Sequence, residues 1–223
     1  MMRVHFAEQL DLLNSELSRM GGLCEEAIMK SANALIRQDP FLAHEVSYLA
    51  GEIDEKENQI VGLCYKLLLQ QQPVASDLRL ISAAMKMVTD MERIGTQAGD
   101  IAEIVRSASL QRFEPRMGHI REMANATVDM VNGAIMAFIK RDLEMALAVM
   151  DYDDVVDGLF DTVRNELVEM ISSTDYHDGG QALGEAAMDL LMVAKYLERI
   201  GDHAVNIAGW VEFSITGKQP ESD

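Results

Sequence analysis

The chain has 223 residues, of which 48% are hydrophobic, 5% aromatic and 25% charged, and its formal net charge is −18. The hydrophobic fraction is sufficient for a packed core, which excludes a disordered chain, and the strong negative charge argues against nucleic acid or an anionic membrane surface as a direct partner. Neither a signal peptide nor a run of about 18 apolar residues occurs, so we predict a cytoplasmic protein without a membrane span.

The first half of the chain predicts three long helices, because its apolar residues recur at three- and four-residue spacing. Gly21 and Gly22 interrupt the first helix, so either the helix bends there or another helix packs closely against it. Asp39 is expected to cap the second helix, with Pro40 at its first position. The predicted bounds are residues 4 to about 38, about 40 to 71, and 76 to about 107.

The second half predicts three more helices, and strand patterns are absent throughout. A proline-containing segment, Leu110–Pro115, separates the halves and predicts domains of residues 1–110 and 111–223. A polar, glycine-rich loop is expected between the last two helices. The predicted bounds are residues 116 to 140, 142 to 173, and 181 to 216.

The two halves share a sequence repeat. Glu-Arg-Ile-Gly occurs at residues 92–95 and again, 106 positions later, at residues 198–201. The helix-boundary segment at residues 37–40 resembles the segment at residues 140–143, at an offset of 103. A repeat of about half the chain indicates one structural unit used twice. We therefore predict an all-α fold of two tandem three-helix bundles related by internal duplication.

Four acidic residues in the second half form a candidate metal site. Asp153 and Asp157 are four residues apart on the predicted fifth helix, as are Glu198 and Asp202 on the sixth. Each pair lies on one helix face, and the two antiparallel helices can bring the pairs to the same level. Such an oxygen-rich set suits Mg²⁺, Mn²⁺, Ca²⁺ or iron, with Zn²⁺ possible. The alternative interpretation is a solvated polar face.

Neighbouring residues complete this prediction. His203 lies about 100° around the helix from Asp202, so we predict an interface or rim residue first and a metal ligand second. Asp161 and Asn206, one turn further along, could contribute. In the first half, Ala50 and Thr96 replace one carboxylate of each pair, which leaves Asp54 and Glu92 as a weaker counterpart.

Cys24 and Cys64 are the two cysteines. Each is flanked by apolar helix residues and they lack Cys-x-x-Cys spacing, so we predict free, buried thiols.

The chain resembles the PhoU family of phosphate-specific transport accessory regulators over nearly its whole length. The resemblance depends on the segment Gln72–Arg79, both Glu-Arg-Ile-Gly helices and the segment Gly201–Ala208. The family's metal motif, (Glu or Asp)-x-x-x-Asp used in pairs, matches Asp153 with Asp157 and Glu198 with Asp202. The departures at Ala50 and Thr96 weaken the first-half match.

The resemblance implies a regulator without enzymatic activity. It implies restraint of phosphate uptake and of phosphate-starvation signalling, with an indirect effect on transcription. The expected partners are the ATPase subunit of the phosphate transporter, a membrane sensor histidine kinase and a second copy in a homodimer. The expected cofactor is a divalent or trivalent metal ion, Mg, Mn, Fe or Zn, at carboxylate clusters.

Three alternative interpretations can be compared with the sequence, and the first of them is disfavoured by it. A ferritin-like di-iron protein needs Glu-x-x-His on two helices, and no glutamate in this chain is followed three residues later by histidine. A helical adaptor whose carboxylates are only solvated would need no metal. A relative that serves a different phosphate transporter would share all these patterns. No nucleophile–base set or glycine-rich phosphate loop indicates an enzyme.

Overall fold

The computed structural model describes residues 2–71, 74–107, 117–172 and 180–220, and these ranges contain helices and no strand. The all-α prediction is thereby confirmed. The predicted linker Leu110–Pro115 lies outside the described residues, so the domain boundary stays a prediction. Gln72, Pro73 and residues 173–179, which include most of the predicted glycine-rich loop, also lie outside them. The helices are α1 (Met2–Arg37), α2 (Pro40–Gln71), α3 (Ala75–Ser107), α4 (Gly118–Lys140), α5 (Leu143–Asp151), α6 (Asp153–Ser172) and α7 (Gly180–Thr216).

The prediction of one continuous helix over residues 142–173 is wrong, because α5 and α6 meet at Tyr152. Tyr152 keeps helical dihedral angles, φ −74° and ψ −13°. The backbone N–H of Val155, however, donates to the Tyr152 carbonyl at 3.0 Å, three residues back instead of four. Aspartates at 151, 153 and 154 surround this point. Aspartate is a poor helix former and adjacent negative charges repel, so the helix is weakest there.

The same capping device begins α2 and α5. Asp39 accepts hydrogen bonds from the backbone N–H groups of residues 41 and 42 at 2.9 and 3.3 Å, and Asp142 accepts one from Met145 at 3.0 Å. Gln38 and Arg141, which precede the caps, both adopt left-handed backbone angles, with φ of 51° and 52°. The predicted cap at Asp39 is confirmed, and its repetition in the second half confirms the repeat at the boundary between helices.

The helices of each half pack on one another, and the halves meet along two pairs of helices. In the first half α1, α2 and α3 contact each other, and in the second half α7 contacts α4, α5 and α6. The halves join where α3 contacts α7 and where α1 contacts α4. One apolar core runs through all of them. Repeat-related positions are buried in both halves: Ala43 and Ala146, Val46 and Val149, and Ile53 and Val156.

Gly21 marks a close contact between the two halves. Helix α1 is unbroken at this residue. A Cβ atom placed on Gly21 would lie 2.5 Å from Cδ1 of Ile135 in α4. Of the two interpretations of the glycine pair, close helix packing is therefore the one the structure supports for Gly21.

No helix in the described ranges combines the length and the apolar character required to cross a bilayer.

Both cysteine thiols should be unreactive in the folded protein. Cys24 and Cys64 are free and buried, as predicted. Burial raises the pKa of each thiol to about 12, so the reactive thiolate is scarce at neutral pH. We expect a disulfide-exchange reagent at pH 8 to label neither cysteine in the native protein and both in guanidinium chloride. Rapid labelling of either thiol under native conditions would contradict the described packing.

An ion pair joins α1 to α2 and should affect the pH dependence of stability. Lys56 Nζ lies 2.8 Å from Glu16 Oε2. The hydrogen bond from Lys56 lowers the pKa of Glu16 below its ordinary value of 4.5. The pair therefore stabilises the fold above that value, and the stabilisation is lost as pH falls through the lowered pKa. Glu16→Gln should lower the free energy of unfolding by about 0.5–1 kcal/mol at neutral pH and scarcely at all near pH 2. Urea unfolding at both pH values tests this, and an equal loss at both would be inconsistent with an ionic origin.

Candidate metal centre

The two Glu-Arg-Ile-Gly motifs lie where α3 and α7 cross. Asp90 Oδ1 on α3 is 3.1 Å from Nδ1 of His203 on α7, and Lys86 Nζ is 5.8 Å from the ring centre of Trp210. Residue numbers rise along α3 as they fall along α7, so the helices are antiparallel. The motif of each helix therefore lies near the middle of the contact. The structure confirms His203 as an interface residue.

The motif glycines let the neighbouring helices approach closely. A Cβ atom on Gly201 would lie 3.2 Å from Oδ1 of Asp153 and 3.5 Å from Cγ1 of Val156. In the first half, a Cβ atom on Gly95 would lie 2.9 Å from Cδ1 of Ile53, the counterpart of Val156. The repeat therefore brings the second helix of each bundle onto the same motif residue. In the second half this contact places Asp153 directly against α7.

The four predicted residues, which we call the carboxylate cluster (Asp153, Asp157, Glu198 and Asp202), act on one another electrostatically. Burial, followed by the negative charges of its neighbours, raises the pKa of Asp153 to about 6, and those neighbours are Asp157, Asp202, Glu198 and Asp154. Partial burial, followed by the charge of Glu198, also raises the pKa of Asp202. A raised carboxyl pKa means that the ionised form is disfavoured. The structure thus brings all four side chains into one field of negative charge.

The cluster does not converge on a single point. Among the described residues, no three acidic, histidine or cysteine side chains are placed so that they could hold a metal ion. The hard oxygen donors on two neighbouring helices fit the chemistry of a hard cation. To bind one ion together, however, the four side chains would have to move toward one another. Asp157 and Asp202 are exposed and so have room to rotate.

Lys195 contacts the carboxylate cluster and was not among the residues predicted from the sequence. Its ammonium lies 2.6 Å from Oε1 and 2.5 Å from Oε2 of Glu198. The contact with Oε2 does not have the geometry of a hydrogen bond, so its interaction with the ammonium is purely electrostatic. The available signal was the i,i+3 spacing of Lys195 and Glu198, which places oppositely charged side chains side by side on a helix.

The two other residues that were predicted to contribute differ in their surroundings. Asp161 forms an ion pair with Arg164, with Oδ1 3.1 Å from the guanidinium. Asn206 is exposed on α7. Asp161 is not among the charges that act on Asp153, whereas Asn206 lines a cleft together with Asp153 and Asp202.

The first-half counterpart has a different arrangement. Glu92 accepts a hydrogen bond from Oγ1 of Thr96 at 2.8 Å, so a hydroxyl contacts the motif glutamate here. Asp54 is exposed on α2. Ala50, at the position of Asp153, carries only a methyl group, which lies 3.8 Å from a Cβ atom placed on Gly99. The first half therefore holds two carboxylates where the second half holds four.

A cleft of about 780 Å³ opens beside the carboxylate cluster and was not predicted from the sequence. Asp153 and Asp202 line it together with Lys86, Arg199 and His203, and residues 219 and 220 of the C-terminal segment reach its edge. The charge of Arg199 also reaches Asp100 on α3, where it opposes the effect of burial on the pKa of that carboxyl. The cleft gives solvent and small ions access to one side of the cluster.

Comparisons with known proteins agree with this architecture. The family model described as the PhoU domain matches residues 17–105 and again residues 120–211. The phosphate-specific transport system accessory protein PhoU homolog of Clostridium acetobutylicum is 34% identical over 220 residues, which is 98% of each chain. The homolog of the same name from Pseudomonas aeruginosa is 35% identical over 95% of this chain and 86% of its own.

Solved structures show the same fold. The crystal structure of PhoU from Pseudomonas aeruginosa is 33% identical and covers 96% of this chain and 100% of its own, with a TM-score of 0.83. The phosphate transport system regulatory protein PhoU from Streptococcus pneumoniae has a TM-score of 0.86 at 22% identity over 97% of this chain and 100% of its own, which shows shared fold. Since the domain model matches both halves and the relatives match almost end to end, this chain belongs to the PhoU family.

Proposed function

We propose that this protein is an accessory regulator of phosphate transport that acts without enzymatic activity. It would restrain phosphate uptake and phosphate-starvation signalling when phosphate is plentiful. The observation that carries the proposal is similarity over the whole chain: both PhoU domains match, and relatives at 34% and 35% identity are named as accessory proteins of the phosphate-specific transport system. Because the match includes both copies of the helical triplet, a shared role does not depend on a single motif.

Regulation would proceed through protein–protein contacts. The partners we propose are the ATPase subunit of the phosphate transporter and a membrane sensor histidine kinase, with a second copy of the chain forming a homodimer. The net charge of −18 favours contacts with basic protein surfaces and disfavours nucleic acid. Analytical ultracentrifugation tests the dimer, and a single monomeric species at micromolar concentration would exclude it.

We propose further that the carboxylate cluster binds a metal ion through Asp153, Asp157, Glu198 and Asp202. Burial and then repulsion from the neighbouring carboxylates raise the pKa of Asp153, and the donors are the hard oxygens that Mg²⁺, Mn²⁺ and iron prefer. A bound ion would supply the positive charge that converts repulsion between α6 and α7 into attraction. Asp54 and Glu92, with half as many carboxylates, would bind more weakly.

The regulatory role is tested in cells that lack the gene. During growth in high phosphate, the deletion should raise labelled-phosphate uptake and activate a phosphate-starvation reporter, and the wild-type gene should reverse both effects. Tagged protein from the same cells should recover the transporter ATPase or the sensor kinase. An acidic helical protein of matched charge is the control bait, because strong negative charge recruits basic proteins nonspecifically. Unchanged uptake and reporter activity would contradict the proposal.

A metal-independent helical adaptor is the second candidate. It is favoured by the spacing of the cluster in the described structure and by the ion pair between Lys195 and Glu198. Melting after chelator treatment, with and without added Mn²⁺, Mg²⁺ or Zn²⁺, distinguishes the two. A melting temperature that rises with one cation supports a metal protein, and a melting temperature indifferent to all of them supports the adaptor.

A further inference from the structure

The ammonium of Lys195 contacts the carboxylate cluster. Lys195 precedes Glu198 by three residues on α7 and lies within 2.6 Å of both carboxylate oxygens. The Lys195 side chain is 46% exposed, whereas that of Glu198 is 15% exposed. The lysine can therefore swing into solvent at little cost, but the glutamate has few other directions in which to turn. Any second cation that binds Glu198 must compete with this ammonium.

One further contact and one electrostatic effect connect Lys195 with the cluster and with α6. Its Nζ lies 5.7 Å from the ring centre of Phe160 on α6, which is within cation–π range. The positive charge of Lys195 also opposes the effect of burial on the pKa of Asp202. Lys195 thus bridges α6 and α7 at the same place where a metal ion would join these helices.

In the first half, hydroxyl groups occupy the positions that correspond to this ammonium contact. The repeat places Thr89 at the position of Lys195, and the Thr89 hydroxyl donates to Glu57 at 2.9 Å. The first-half motif glutamate, Glu92, is contacted by the hydroxyl of Thr96. An ammonium therefore accompanies the motif glutamate only in the half with the complete carboxylate cluster, among the residues that the structure describes.

We propose that Lys195 is an internal competitor for the metal ion, which lowers the metal affinity of the carboxylate cluster by occupying Glu198. Metal binding would displace the protonated side chain into solvent without any transfer of a proton. Lys195 would also keep the two helices joined when no metal is bound. This inference rests on the metal binding proposed above, and it makes Lys195 a determinant of the metal concentration to which the protein responds.

Calorimetric titration of the full-length, chelator-treated protein tests the competition. With Mn²⁺ and Zn²⁺ as probes, Lys195→Gln should bind metal about tenfold more tightly than the wild type, since a unit positive charge is removed from the site. Lys195→Arg retains the charge and should bind like the wild type. Equal affinity of the wild type and Lys195→Gln would overturn the inference.

Melting supplies a second readout that a merely structural role would not produce. Without metal, Lys195→Gln should melt below the wild type, because the cluster loses its counter-charge. At saturating Mn²⁺ its melting temperature should rise by more than that of the wild type. Lys56→Gln is the matched control, because it removes an ion pair between α1 and α2 and should lower the melting temperature without changing metal affinity. A metal-induced shift in Lys195→Gln no larger than that of the wild type would contradict competition.

The outcomes distinguish a failure of the proposed role of Lys195 from a failure of the proposed metal binding. If the wild type binds a metal and Lys195→Gln binds it equally well, only the role of Lys195 fails. If the wild type, Lys195→Gln and Lys195→Arg all fail to bind Mn²⁺, Zn²⁺, Mg²⁺ and iron, both the metal site and the competition fail.

Discussion

Replacing Asp153 with asparagine should stabilise the metal-free protein and nearly abolish metal binding. Burial and neighbouring carboxylates raise the pKa of Asp153 to about 6, so keeping it ionised at neutral pH costs free energy. An amide of the same shape removes that cost, and we expect a gain of about 1 kcal/mol, reduced by solvent screening. The loss of one ligand should weaken metal affinity by about 100-fold. Chemical unfolding in chelator and calorimetric titration measure the two effects.

Asp54→Asn is the control for this experiment. Asp54 is the repeat counterpart of Asp157 and is exposed on α2, so losing its charge should change stability by no more than about 0.5 kcal/mol and leave the metal affinity of the carboxylate cluster intact. If Asp153→Asn destabilises the metal-free protein, the carboxylates do not repel as described. If it binds metal like the wild type, Asp153 is not a ligand.

Replacing Gly95 with valine should strongly destabilise the fold. A Cβ atom on Gly95 would lie 2.9 Å from Cδ1, 3.0 Å from Cγ2 and 3.2 Å from Cβ of Ile53, which is fully buried. Because Ile53 Cβ is attached to the backbone, a rotamer change cannot relieve the clash and α2 must move away from α3. We expect the free energy of unfolding to fall by about 3 kcal/mol and the melting temperature by about 10 °C.

Gly51→Val tests the same substitution in a helix without the close contact. Gly51 is exposed on α2, and a Cβ atom there would meet nothing within 4 Å. Its stability should therefore change by less than about 0.5 kcal/mol. Adding Ile53→Ala to Gly95→Val should recover part of the loss, because the clashing side chain is removed. Equal stability of the two valine variants would contradict the close contact at the motif glycine.

Much of the fold could be predicted from the sequence because the relevant signals are local. The spacing of apolar residues predicted the helices, and Asp39 with Pro40 correctly predicted where the second helix begins. The break at Tyr152 was missed because the apolar periodicity continues through it. The repeat of Glu-Arg-Ile-Gly at residues 92 and 198 showed that one helical unit is used twice.

The candidate site could be predicted only in part. Spacing along each helix placed Asp153 with Asp157 and Glu198 with Asp202, and the antiparallel connection indicated that the pairs would be neighbours. Whether the four carboxylates converge depends on the rotamers of their side chains. The periodicity of the sequence does not specify those rotamers. The contacts of Lys195 with Glu198 and Phe160 likewise depend on side-chain rotation, so the periodicity could not predict them.

By itself, then, the sequence determined the helices, their duplication, the buried cysteines and the residues that carry negative charge. Only the tertiary structure decided that His203 pairs with Asp90, that Gly95 and Gly201 are contact points between helices, and that a cleft adjoins Asp153. The physical reason is the distance along the chain over which each kind of interaction acts. A helix forms from interactions within four residues, whereas these contacts depend on the register at which α3 crosses α7 and α6 packs against α7, which the packing of the whole core sets.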